Sequence, residues 1–202
     1  MLALQVPFVL ASQSPRRRLL LQQLGLTFTV QPSRDDEVWP DGLPPSVAVE
    51  TLAIQKAAPV AALNPEALTL GADTIVVLEE EVLGKPRDAT EAHAMLRRLS
   101  GATHIVYTGI ALAHPASGRQ VATHEATTVT FAALREEEIQ AYVASGSPLD
   151  KAGAYGIQDD HGALFVRRID GDYYTVVGLP LHRLYHTLQT EFGDLLKPLT
   201  AS

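Results

Sequence analysis

Cysteine is missing altogether from the 202 residues. That absence removes a disulfide framework, a thiolate nucleophile and any cysteine metal site, and makes a reducing cytoplasm the simplest compartment. Long apolar runs are missing too: no stretch reaches the about 18 consecutive apolar residues of a membrane span. The apolar start, Met1 to Ser12, lacks a basic leading region and is interrupted by Gln5 and Pro7, so it reads as a first strand rather than a signal peptide. Positive charge is scarce, with 16 Lys and Arg against 23 Asp and Glu and a net charge of -7. A pI near 5.4 argues against wholesale binding of nucleic acid or anionic membrane, yet one basic pocket can still take a small anion. Gly84-Lys85 has no upstream glycine at P-loop spacing. No internal repeat and no linker interrupt the chain. With 46% hydrophobic residues it can bury a full core as one domain, or as two lobes sharing one sheet. The chain is therefore expected to be a single domain whose tail frays after Gly193.

Residues 8 to 25 organise what is present. Phe8 to Ala11 fit a short buried strand, Ser14 followed by Pro15 begins a helix, and Gly25 ends it in the left-handed conformation. Leu19, Leu20, Leu24 and Leu26 are expected to face the core. Arg16, Arg17 and Arg18 fall in the first turn, where the helix dipole disfavours cations by a few tenths of a kcal/mol to about 1 kcal/mol each. Either these are solvated arginines paired with an acidic surface, or an anion such as phosphate or carboxylate offsets the cost. Successive helical residues diverge by about 100°, so all three cannot face one ligand, and Arg16 and Arg17 are the candidates.

Further along, Thr27 to Gln31 alternates like a strand and leads into a polar loop, Pro32 to Pro45, of the length that often serves as a functional lid. Its acidic cluster, Asp35, Asp36 and Glu37, is either solvated surface or supplies a metal ligand near the arginines. Ser46 is expected to cap a helix with Val49, Leu52, Ala53 and Ala57 inward, and Pro59 to end or kink it. Lys56 borders that stripe and either enters a cleft or snorkels to solvent. Leu68 to Leu78 is the most apolar segment, and Asp73 stands in its middle. An unpaired buried charge costs several kcal/mol, so Asp73 needs a cation or a hydrogen-bonding loop, and Lys85 beyond a hairpin is the nearest candidate partner. Thr90 to Ser100 reads as a helix, His104 to Ala113 and Gln120 to Phe131 as a long hairpin, and Glu136 to Ala144 as another helix. Pro148 to Gly162 is a second polar loop. Ala163 to Ile169 and Tyr173 to Val177 are expected to pair around Asp170-Gly-Asp172, before a last helix from Pro180. His182 and His186 are spaced i, i+4, but they read as surface histidines in the absence of a zinc motif.

Cations at Arg16, Arg17, Lys56 and Lys85, carboxylates at Glu37 and Asp73, and loops between firm elements suit a phosphate-handling α/β enzyme, because a nucleoside triphosphate is held by such cations with Mg²⁺ on carboxylates. At these residues the sequence resembles the Maf family of nucleotide pyrophosphatases. The runs Ala-Ser-Gln-Ser-Pro-Arg-Arg at 11 to 17, Gly-Ala-Asp-Thr at 71 to 74, Gly-Lys-Pro at 84 to 86, Asp-Lys-Ala-Gly-Ala-Tyr-Gly-Ile-Gln at 150 to 158 and Val-Gly-Leu-Pro at 177 to 180 occur in the family's order. The resemblance implies an elongated α/β fold on a curved mixed sheet with flanking helices forming two lobes around a cleft, often dimeric. It implies hydrolysis of a nucleoside triphosphate to monophosphate and pyrophosphate with Mg²⁺ or Mn²⁺. By motif position Asp73 becomes the proton acceptor for the attacking water. Ser12, Arg16, Arg17, Lys56 and Lys85 become triphosphate ligands, Lys85 also serving the chemical step, and Glu37 a metal or water ligand beside Asp73.

Asp73-Thr74 resembles the branch acting on dTTP and UTP rather than 7-methyl-GTP, with Arg16, Thr74 and Gln158 at the substrate-reading positions. A Gln carboxamide suits the carbonyl and N3–H of uracil or thymine. Asp159-Asp160-His161 departs from the shorter glycine-containing turn commoner after that Gln. The competing class is a nucleotide-binding regulator of septum formation with little catalysis, but Asp73 and Lys85 together favour catalysis. A carboxylate kept for function among apolar strand residues is expected to be suboptimal for stability, so that Asp73→Asn would melt no lower than the parent.

Overall fold

Apolar runs of strand length alternating with helix-period segments give a mixed α/β fold in the computed structural model of the chain, which describes residues 2–35, 37–159 and 161–198. Asp36 and Asp160, singled out above, lie outside the described residues. Strand β1 (Phe8–Leu10) runs parallel to β2 (Thr29–Val30) on one side and to β3 (Leu68–Leu78) on the other. Helix α1 (Pro15–Gln23) joins the first pair, and α2 (Pro45–Leu63) precedes β3. Strand β4 (Glu81–Leu83) folds back antiparallel on β3, and α3 (Ala89–Leu99) leads to the hairpin of β5 (Thr103–His114) and β6 (Arg119–Phe131). Helices α4 (Glu136–Ala144) and α5 (Gly162–Phe165) follow, then β7 (Val166–Asp170), antiparallel on β6, then α6 (Tyr173–Val177) and α7 (Leu181–Glu191). The seven-stranded sheet has the order β2-β1-β3-β5-β6-β7, with β4 pairing β3.

The chain divides into two compact units, one of residues up to Asp73, 108–125 and from Gly178 on, the other of 74–107 and 126–177. Leu10, Leu21, Leu70, Leu112 and Phe192 are fully buried in the first; Leu96, Leu99, Phe131, Ile139 and Tyr142 in the second. In the second, His104 sits edge-on between Phe131 and Tyr155, with centroids 5.1 and 5.4 Å away. Burial lowers its pKa to about 4, so it is a neutral core residue.

Several local expectations are corrected. The buried stripe of α1 is Arg17, Leu20 and Leu21, while Leu19 is 60% exposed. Helix α2 starts at Pro45 after Pro44 rather than being capped by Ser46, because proline's fixed φ already suits a first helical residue. It also continues through Pro59 to Leu63, its last turns held by burial of Val60 and Ala61. Tyr173–Val177 is helical rather than a strand: the Asp172 carboxylate accepts from the Thr175 N–H (2.7 Å) and hydroxyl (2.8 Å), as a helix cap does. Its place beside the sheet is taken by β6, which pairs Val129 with Ile169. Beyond Gly193 the Lys197 N–H bonds to Ala3 O (2.8 Å), and Leu196 bridges to Leu4.

The two-residue turn between β3 and β4 has Glu79 and Glu80 at φ 51° and 70°. This is the left-handed pair of a type I′ hairpin, which Asn-Gly adopts more readily than two glutamates. Glu79→Asn with Glu80→Gly is expected to stabilise the protein by about 1 kcal/mol, read as a rise in Tm. An unchanged or lower Tm would mean that the turn carries no strain.

Candidate active site

The first unit gathers six of the residues read from the sequence. Ser14 caps α1, its hydroxyl accepting from the Arg17 N–H, with Pro15 at the first position and no acid in the first turn. The consequence is that Arg17, on the inward face, is only 8% exposed. Its Nε donates to Gly178 O at 2.8 Å and its Nη1 to Ser12 Oγ at 3.4 Å. Ser12 Oγ also accepts from the Ser14 N–H at 3.2 Å, so hydroxyl, guanidinium and helix N-terminus converge. Burial lowers the Arg17 pKa, the charges of Asp73 and Glu37 oppose that shift, and half-buried Arg16 adds to it. Arg18 points to solvent, as expected for the member that cannot share a ligand with the other two.

Asp73 stands mid-strand in β3, where Leu68 to Ala72 and Ile75 to Leu78 are buried on either side. The cation that meets it is Lys56 of α2, and not Lys85: Lys56 Nζ donates to Asp73 Oδ1 and lies 3.2 Å from Glu37 Oε2. The Lys56 and Asp73 side chains are each 15% exposed, and Glu37 is 47% exposed. Lys56 therefore neither snorkels nor stands alone; it draws together a strand carboxylate and a carboxylate of the 31–44 loop. That loop is tied to α2 by Gln55, whose side chain accepts from Val38 N–H (2.8 Å) and donates to Val38 O (2.9 Å).

Two glycines set the approach of α2 to the sheet. A Cβ on Gly71 would lie 2.3 Å from Ala53 O and 2.7 Å from Ala57 N, and one on Gly109 would lie 2.3 Å from Val49 O. With Ala53, Ala57 and Ala111 fully buried in one cluster, helix and strands meet backbone to backbone. This is what lets Lys56, one turn along from Ala53, reach Asp73. Sequence reasoning placed Ala53 and Ala57 inward but passed over the two glycines they meet, although Gly71 stands in a quoted motif.

The other residues belong to the second unit. Thr74 follows Asp73 and is half-buried; Lys85 is exposed in the turn after β4; Gln158 is exposed on the 150–159 loop. That turn and loop are joined, since the Gly153 N–H donates to Gly84 O at 3.0 Å. Gly153 is at φ +68°, and a Cβ there would press on Val76 at 2.9 Å. His182 and His186 are exposed, and among the described residues no group of three or more His, Asp or Glu could hold a metal unaided.

The chain matches the family model described as "Maf-like protein" over residues 7–191. It is 53% identical over 201 residues to a protein of Salinibacter ruber named dTTP/UTP pyrophosphatase, covering 100% of this chain and 98% of that one. It is 58% identical over 173 residues to a protein of the same name from Moorella thermoacetica, covering 86% and 89%. Among solved structures, a HAM1 protein from Coxiella burnetii matches with a TM-score of 0.50 at 18% identity over 94% of this chain and 99% of that one, a likeness of fold alone. With its motifs in order and relatives of more than half identity along nearly its whole length, the chain belongs to the Maf family.

Proposed function

We propose that the protein hydrolyses dTTP and UTP to the monophosphate and pyrophosphate, clearing them from nucleotide pools. The observation that carries this reading is Lys56 holding Asp73 and Glu37 together in the unit where Ser12 and Arg17 meet the α1 N-terminus. Arg16, Arg17 and Lys56 bring positive charge to this unit that suits a polyanion in a chain otherwise acidic. A triphosphate offers Lys56 a richer anionic partner, and Lys56 leaving Asp73 for phosphate oxygens frees the carboxylate. Water then attacks the α-phosphorus, its proton passes to Asp73, the α–β bridging bond breaks and pyrophosphate departs. Ser12, Arg16, Arg17 and Lys85 hold the triphosphate, while Thr74 and Gln158 read the base. Two carboxylates fit Mg²⁺ or Mn²⁺ in the way such ions are commonly held, by one or two acids plus substrate phosphates, so Asp73 and Glu37 would be its ligands. The ion would neutralise phosphate charge. The family resemblance also supports a homodimer, and the lack of cysteine suits a reducing cytoplasm.

A nucleotide panel tests the reading. dTTP and UTP are expected to show at least about tenfold higher kcat/KM than ATP or 7-methyl-GTP, about 1.4 kcal/mol and within reach of one or two hydrogen bonds. In ¹⁸O-water the label should enter the monophosphate and not pyrophosphate. Purine preference, or orthophosphate as primary product, would refute the proposal.

A further inference from the structure

The loop that carries Gln158 is built around a buried ion pair. Lys151 is 8% exposed; its Nζ donates to Ser147 O (2.5 Å) and Asp150 Oδ1 (2.7 Å) and lies 3.0 Å from Asp159 Oδ2. The same Asp159 Oδ2 accepts from the Tyr142 hydroxyl at 3.0 Å and the Ser147 hydroxyl at 2.8 Å. The backbone of Asp159 is tied in both directions, its N–H to Gly156 O (3.0 Å) and its carbonyl to the Ala163 N–H (2.8 Å). Gly156 leaves room for the carboxylate, since a Cβ there would stand 2.7 Å from Oδ2. Burial alone would raise the Asp159 pKa, but the hydrogen bonds from Lys151 and Ser147 outweigh it and hold the group below the usual carboxylate range. At neutral pH it is a fixed anion.

With Oδ2 occupied, Oδ1 faces the neighbouring side chain and accepts from Gln158 Nε2 at 3.1 Å. A carboxylate only accepts, so the amide must turn its NH₂ toward it; the flipped amide would set oxygen against oxygen. Gln158 Oε1 makes no hydrogen bond among the described residues. An exposed carboxamide, free by itself to flip, is thus held with its acceptor and its second N–H in assigned places.

We propose that Asp159 is a specificity-positioning residue: by locking the flip of Gln158 it makes the site accept a base with a 4-carbonyl and N3–H and reject one with a 4-amino group and an unprotonated N3. This rests on the reading above that Gln158 contacts the base. Uracil and thymine present acceptor and donor in that order, and cytosine presents the reverse. A freely flipping Gln serves either base, whereas a locked one serves only the first.

The test is kcat/KM for UTP and CTP, with wild type and Asp159→Asn. Lys151 and the two hydroxyls hold the Asn oxygen where Oδ2 stood, so its NH₂ faces Gln158 and the lock is reversed while the side chain's shape is kept. The UTP/CTP ratio is expected to fall about tenfold, mainly through a gain on CTP. In a Gln158→Ala background the same substitution is expected to leave the ratio unmoved. If Asp159→Asn lowers both substrates equally, or shifts the ratio equally without Gln158, Asp159 is merely structural and the proposal fails. Should Asp159→Asn not fold, Ser147→Ala loosens the carboxylate while keeping its charge. A smaller fall in the ratio then supports the proposal, and an unchanged ratio overturns it. Wild type cleaving neither dTTP nor UTP would instead overturn the assigned substrate class, a result distinct from failure of the lock.

Discussion

Asp73→Asn is expected to lower kcat by at least about 100-fold, the lower range for loss of a general base, while nucleotide binding measured by calorimetry persists. The arginines and lysines proposed to hold phosphate remain, and one repelling negative charge is gone. The structure reverses the stability expected from sequence. Asp73 and Lys56 are a mostly buried pair, each side chain 15% exposed, so among the described residues the variant leaves Lys56 only the half-exposed Glu37 as an anionic partner and takes from Arg17 a charge that favours its protonated form. Removing one partner of a fully buried pair costs roughly 3–5 kcal/mol. Here Glu37 still compensates, and a cost of about 1–2 kcal/mol is expected, lowering Tm by roughly 2–8 °C for a chain of this size. Lys56→Met should cost stability similarly and also weaken triphosphate binding. Should Asp73→Asn instead keep full activity per folded molecule while losing far more stability, Asp73 would be an ion-pair residue and no base.

What could be read from the sequence was local. Ser14-Pro15 and Gly25 frame α1 because capping and left-handed glycine act within a few residues, and Gly25 does sit at φ 69°. Asp73 was conspicuous because its strand is otherwise apolar. What escaped was decided by tertiary packing. Nothing in the period of α1 says that an arginine outcompetes Leu19 for the inward face; that follows from Gly178 O, 161 residues away, accepting from it. Lys85 looked nearest to Asp73 because hairpin distance can be counted along the chain, whereas Lys56 reaches it only through the contact of α2 on β3. Tyr173–Val177 has strand-like composition, and one cap from Asp172 turns it helical. The bridge between Leu4 and Leu196 is likewise a contact that sequence proximity does not reveal. Arg17→Ala is accordingly expected to weaken the proposed phosphate binding and also to open a buried site.

Gly71→Ala is expected to be strongly damaging to the first unit. The new Cβ would lie 2.3 Å from Ala53 O and 2.7 Å from Ala57 N, and backbone atoms inside a helix cannot turn aside as the end of a flexible side chain can. Helix α2 has to lift from β3, breaking the Ala53, Ala57 and Ala111 cluster and drawing Lys56 away from Asp73. Overpacking of this kind costs typically 1–3 kcal/mol and occasionally more; here about 3 kcal/mol is expected, a drop in Tm of roughly 6–12 °C. Activity per folded molecule should fall as well, because the displaced helix carries Lys56, the cation proposed to bind phosphate. Adding Ala57→Gly removes the Ala57 Cβ that stands 2.9 Å away but leaves the two closer backbone atoms in place, so it should not rescue either property. Gly193→Ala, where a Cβ meets nothing within 4 Å, supplies the control and should change stability by no more than about 0.5 kcal/mol. If Gly71→Ala melts with the parent and keeps its activity, the close approach of α2 to β3 is not what sets Lys56 on Asp73, and the geometric basis of the candidate site would have to be sought elsewhere.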